Sequence, residues 1–198
     1  HISDDVQADG AAYIENSVIG KDTKLGTNVI LSGLNISDIS IPSDCCMHKV
    51  KLLNGKYVVR VYGCLDNPKG KYHAGDSSAA FLGSTLRDFI EVMGLDVADV
   101  WDGADESGFY LWNAKLYPVC RTFQEAAEAG KLLVKMSEGL AEPQMIENWK
   151  KQPRLSLEES FRYGNTENIL SWKKDLEARI LVAVFLGELK KGGHYIPA

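Results

Sequence analysis

The chain has 198 residues, 45% of them hydrophobic and 25% charged, which suits one good core or a main body with a smaller appendage. A formal net charge of −5 argues against a general binder of nucleic-acid backbones. No apolar run approaches the ~20 residues that cross a bilayer, and the opening HISDDVQADG lacks the basic and apolar regions of a signal peptide. That opening reads as a possible cloning scar and carries none of the argument. Four cysteines (Cys45, Cys46, Cys64 and Cys120) show no C-x-x-C spacing. They read as reduced, mostly buried thiols of a cytoplasmic protein.

The first patterned stretch is YIENSVIGKDTKLGTNVILSGLNI. Counted in sixes, Tyr13, Ile19, Leu25 and Leu31 share one phase, with Gly20, Gly26 and Ser32 after three of them. Ser17, Thr23 and Val29 take a common small or β-branched place. This is a hexapeptide pattern, which predicts the terminal coils of a parallel, left-handed β-helix over 1–42. Four sixes supply little more than one coil, and one coil cannot bury its own interior. Further coils upstream are therefore expected, so the sequence reads as a fragment.

A mixed α/β segment is expected over 43–120, with a hairpin at 47–62. Asn54-Gly55 predicts a two-residue turn that pairs Leu52 with Tyr57, Val50 with Val59 and His48 with Val61. In that register His48, Val50, Leu52, Tyr57, Val59 and Val61 face inward. Lys49, Lys51, Lys56 and Arg60 then make a basic outer face, read as a solubilising one. Leu82, Leu86, Ile90 and Met93 recur as one face of a helix that Gly94 ends. FYLWNAKLYPV reads as one or two strands.

The region 121–198 reads as helical. Thr122 and Glu125 make a capping box for a helix that Gly139 closes, and Ser156 with Glu159 opens a short one. From about Thr166 a stripe of Ile169, Trp172, Leu176, Ile180 and Val184 predicts a last helix, stopped by Gly192-Gly193. The fold class is thus mixed α and β: the end of a β-helix, a hairpin-containing segment and a mostly helical C-terminal half.

Candidate chemistry is sparse. GCLDNPKGK places six residues between Gly63 and Gly70-Lys71, where a P-loop has four, and Tyr72 stands where it needs Ser or Thr. Lys69, Lys71 and His73 remain candidates for contact with a phosphate, against the simpler reading of a solvated loop. Asp102, Asp105 and Glu106 lack the order of a calcium loop and read as surface, so no metal ligand is assigned. His48 reads as a buried, hydrogen-bonded histidine. There is no G-x-S-x-G, H-E-x-x-H or G-x-G-x-x-G, and no catalytic residue is assigned.

KYVVRVYGCLDN, LWNAKLYPVC and PRLSLEESFRYGNTENI, in this order behind the hexapeptides, resemble the C-terminal part of fucose-1-phosphate guanylyltransferases. They equally resemble the same region of bifunctional L-fucokinase/GDP-fucose pyrophosphorylases. The resemblance covers roughly 14–180. It implies a larger enzyme whose N-terminal nucleotidyltransferase domain takes GTP, magnesium and fucose 1-phosphate and releases GDP-L-fucose and pyrophosphate. In the fused enzymes a C-terminal sugar kinase follows. The family's catalytic motifs have no counterpart in this sequence, so the expected role is scaffolding, domain docking or homo-oligomer formation without a cofactor of its own. A stand-alone β-helix binding or assembly module is the alternative. A hexapeptide acyltransferase is disfavoured because no histidine lies between Tyr13 and Pro42.

Overall fold

The computed structural model describes residues 1–72 and 79–164. Eight short strands open the chain: β1 (Gln7–Ala8), β2 (Ala12–Glu15), β3 (Val18–Ile19), β4 (Thr23–Leu25), β5 (Val29–Ser32), β6 (Asn35–Ile36), β7 (Ile39–Ile41) and β8 (Cys45–Lys51). Each of β1 to β5 pairs in parallel with the strand three places further on. Gln7 lies opposite Lys24, Ala12 opposite Val29 and Val18 opposite Asn35, an advance of 17 residues. The next turn advances 16, with Thr23 opposite Ile39 and Ile30 opposite Cys46. The chain therefore makes three sides and then stacks on itself. Ile2 pairs with Ile19, so the opening residues set aside on sequence grounds belong to this stack.

The advance of 17, rather than three sixes, corrects the phase of the repeat. Ile19, Leu25 and Leu31 are buried, as the sixes require, but Tyr13 is 44% exposed. Its neighbour Ile14 stands in line with Leu31 and Met47 instead. At the corners Asn16, Asp22, Asn28, Asp38 and Asp44 have positive φ. Short polar side chains tolerate that left-handed conformation, which explains why Asn and Asp recur there. Asn28 Nδ2 also donates to Asp44 Oδ1 (3.2 Å), tying one corner to the next.

β9 (Tyr57–Gly63) returns antiparallel to β8 and completes the sheet β2-β5-β8-β9. The hairpin exists, but its register is one residue from the expected one: Val50 faces Val58 and His48 faces Arg60. The loop holds three residues, not two. Leu52 N–H donates to Lys56 O (2.8 Å), Gly55 N–H donates to Leu52 O (3.0 Å), and of Asn54-Gly55 only Gly55 has positive φ (79°). That is a turn followed by a left-handed bulge residue. The two-residue turn with positive φ at both positions occurs instead at Leu82-Gly83 (50° and 82°), between β10 (Ala80–Phe81) and β11 (Ser84–Thr85).

α1 (Leu86–Val92) follows, capped by Thr85 and ended at Met93 before a left-handed Gly94. Leu82, assigned to this helix from its spacing, lies in the turn before it. β12 (Tyr117–Pro118) realises part of the expected strand. α2 (Phe123–Ser137) carries both halves of the Thr122/Glu125 capping box and ends before Gly139, as expected. α3 (Pro143–Lys151) was not foreseen. It precedes β13 (Arg154–Leu155), which pairs with β12, and α4 (Leu157–Arg162), opened by Ser156 and Glu159. The stripe Ile169–Val184 lies outside the described residues.

α2 presents Ala126, Ala127, Gly130, Leu133 and Val134 as one buried face. It packs on β9, β8, β6 and β12, with Gly130 against Val59 and Met47. Lys131 Nζ donates to Ser37 O (2.7 Å) at a corner of the last turn. Met47 belongs to the interior column of the stack, so α2 closes the downstream end of that interior.

Candidate functional site

The loop bearing two of the three candidate contacts is held by its backbone. Asp66, 7% exposed, accepts from Gly63 N–H (2.6 Å) and Leu82 N–H (3.0 Å). Trp112 N–H donates to Pro68 O (2.7 Å), Leu111 N–H to Gly70 O (3.3 Å) and Tyr72 N–H to Phe109 O (2.7 Å). The loop is thus laced to 109–112 rather than flexible. Lys69 and Lys71 are exposed, and Lys71 bridges to Tyr110. Under this segment Tyr72 and Phe109 flank Trp101, with Trp101 and Phe109 stacked 4.8 Å apart. His73 lies outside the described residues.

The acidic residues are occupied locally. Asp102 pairs with Lys115 at 2.5 Å, and Asp105 accepts from Ser107 N–H (3.0 Å). Among the described residues no group of three His, Cys, Asp or Glu is placed to hold a metal ion.

The one-residue shift in the hairpin produces a feature that the sequence reading missed. Arg60, assigned to a basic outer face, is fully buried and shares its side of the sheet with His48, itself 1% exposed. Arg60 Nε donates to Ser160 Oγ (2.8 Å), its guanidinium lies 3.7 Å from the Phe161 ring centre, and His48 Nδ1 stands 3.3 Å from its Nη1. Phe161 in turn stacks on Trp112 at 5.5 Å. A buried guanidinium needs its donors satisfied and its charge offset, and here a hydroxyl and an aromatic face contribute to both. The expected burial of His48 holds, whereas the continuous basic face does not. Lys49, half-buried, lies over the Phe123 ring at 4.8 Å. The paired alternation of β8 and β9 was the only sequence signal for Arg60, and it depended on the turn type.

Two other features have chemical potential. A groove of about 1020 Å³ runs between α2 and α3, with Leu132, Met145 and Trp149 on its walls and Glu128 and Lys135 among its charged residues. All four cysteines are free and buried, as expected. Burial pushes the Cys45 thiol well above its ordinary range and Cys120 up to about 11, which leaves both poor nucleophiles near neutrality.

Residues 1–122 match the fucose pyrophosphorylase domain family, and the chain belongs to that family. It is 31% identical over 120 residues to the bifunctional fucokinase/GDP-fucose pyrophosphorylase of Arabidopsis thaliana, covering 60% of this chain and 11% of that protein. The fucose-1-phosphate guanylyltransferase of Mus musculus is 28% identical over 124 residues (60% of this chain, 21% of the relative). That of Homo sapiens is 24% identical over 171 residues (83% and 28%). The chain therefore spans roughly a tenth to a quarter of the length of these relatives. No solved structure matches it. No helix among the described residues is long and apolar enough to cross a membrane.

Proposed function

We propose that this chain is part of a cytoplasmic enzyme that joins fucose 1-phosphate to GTP, yielding GDP-L-fucose and pyrophosphate. Its role there is structural: a scaffold on which a nucleotidyltransferase domain, and in fused relatives a sugar kinase, is held. The match of residues 1–122 to the fucose pyrophosphorylase domain carries this reading. We read the stacked strands as the end of a parallel β-helix, supported by the nearly constant 16- or 17-residue advance on all three sides. No chemical step is assigned to the described residues.

The test supplies GTP, fucose 1-phosphate and magnesium to this chain and to the full-length polypeptide, and follows pyrophosphate release. Turnover by the full-length polypeptide with none by the chain is expected. Turnover by the chain at a comparable rate refutes the scaffold role, and an inactive, well-folded full-length polypeptide refutes the assignment of the reaction.

A further inference from the structure

Asn-Gly occurs once in the chain, at Asn54-Gly55, and it falls at the tip of the hairpin between β8 and β9. Residues 53–56 are exposed there, and a Cβ built on Gly55 meets no atom within 4 Å. Asn54 Oδ1 accepts from Lys56 N–H (3.0 Å). That bond polarises the side-chain carbonyl and is placed to stabilise negative charge developing on the same oxygen. Attack of the Gly55 main-chain nitrogen on Asn54 Cγ closes a five-membered ring, and glycine has no side chain to crowd the approach.

Asn67 supplies an internal comparison. It is also exposed, and its Oδ1 accepts from Lys69 N–H at the same 3.0 Å. Pro68 follows it, however, and a proline nitrogen has no proton to give up. The Asn113 amide is held at both ends: Oδ1 accepts from Trp101 Nε1 (3.0 Å) and Tyr110 N–H (2.8 Å), and Nδ2 donates to Gly108 O (2.8 Å). The loop around Asn54 is restrained through its backbone, where Gly55 N–H donates to Leu52 O (3.0 Å) and Leu53 N–H to Tyr163 O (2.8 Å). Bonds at an exposed hairpin tip open at much lower free energy than the sheet beneath them.

We propose that Asn54 is a site of spontaneous deamidation in the folded chain. Gly55 N gives its proton to solvent and bonds to Asn54 Cγ, and the Cγ–Nδ2 bond breaks with release of ammonia. Water then opens the cyclic imide. Cleavage between Gly55 N and Cγ leaves aspartate, whereas cleavage between Gly55 N and the main-chain carbonyl carbon leaves isoaspartate. One water is consumed for each ammonia released, and nothing is oxidised. Aspartate retains an acceptor for Lys56 N–H. Isoaspartate adds a main-chain carbon to the loop whose length sets the register that buries Arg60.

The test incubates the chain at mildly alkaline pH, with circular dichroism to show that it stays folded, and follows each asparagine by peptide mass spectrometry. Asn54 should convert at least tenfold faster than Asn67 or Asn113, to aspartate and isoaspartate together. Conversion of Asn54 only after urea has unfolded the chain would overturn the proposal, because the bond from Gly55 to Leu52 then locks the site. Equal conversion at Asn67, or aspartate at 54 without isoaspartate, would overturn it as well, since neither passes through the Gly55 nitrogen.

Discussion

Gly130 allows a quantitative test of how α2 closes the stack. A Cβ added there would sit 2.8 Å from Val59 Cγ1, 3.0 Å from Met47 Cε and 3.4 Å from Val59 Cβ. Carbon atoms normally approach to about 3.5–4.0 Å, so the first contact is short by nearly 1 Å. The end of Met47 can swing aside, but Val59 is β-branched and fixed in a strand. Against this, replacing glycine by alanine within a helix is worth about 1 kcal/mol. Overpacking of a filled core costs about 1–3 kcal/mol. Gly130→Ala is therefore expected to destabilise the chain by about 1 kcal/mol net, a fall in Tm of about 2–4 °C. Val59→Ala removes the obstructing methyl groups. In that background Gly130→Ala should be neutral or stabilising, with a coupling of about 1–2 kcal/mol between the sites. Urea denaturation of the four proteins completes the cycle. A stability gain from Gly130→Ala in the otherwise unaltered chain would mean that α2 does not rest on Val59 as described.

Two further outcomes follow from the loop and the buried thiols. Gly55→Val should cost about 1–2 kcal/mol, because φ is +79° while no atom lies within 4 Å of the new Cβ. Lys69→Ala with Lys71→Ala should leave Tm nearly unchanged, since both side chains are exposed; thermal unfolding of both variants checks the contrast. Burial raises Cys120 from an ordinary 9 to about 11. The unfolded state therefore loses its proton first as pH rises, so the contribution is intact below pH 9 and falls away between about 9 and 11. A pH series of denaturation midpoints should show that decline, and Cys120→Ala should make it shallower.

Local signals were readable where a few neighbouring residues decide the outcome. The capping boxes at Thr122 and Ser156 need only a side chain and an amide three residues on, and both formed. α3 lacks that signature: Glu142 makes no side-chain cap, and only Pro143 marks the start. Registers were harder, because they depend on small differences integrated along the chain. An advance of 17 instead of 18 residues moved the interior from Tyr13 to Ile14. One extra loop residue before Lys56 likewise turned Arg60 from solvent to core. Asn54-Gly55 favoured the shorter pairing, which set Arg60 outside with the lysines, and nothing local signalled that Ser160 and Phe161 would receive its guanidinium. Lys69 and Lys71 were correctly seen as exposed, but the ties from Pro68 and Gly70 to 111–112 link segments too distant in sequence for local reading.

The even pitch of the stack also makes it a ruler. Each added turn displaces whatever is attached beyond it by one strand spacing, about 4.8 Å, while every interior side chain keeps the same kind of neighbour above and below. Insertions or deletions of 16 or 17 residues within 1–47 would thus change reach without disturbing the seat of α2 on Met47 and Val59. Changes of one or two residues would instead put corner residues such as Asn28 into strands and strand residues into corners. Length variation among natural versions of this segment should accordingly come in whole turns, with the helical layer carried along as a rigid terminus.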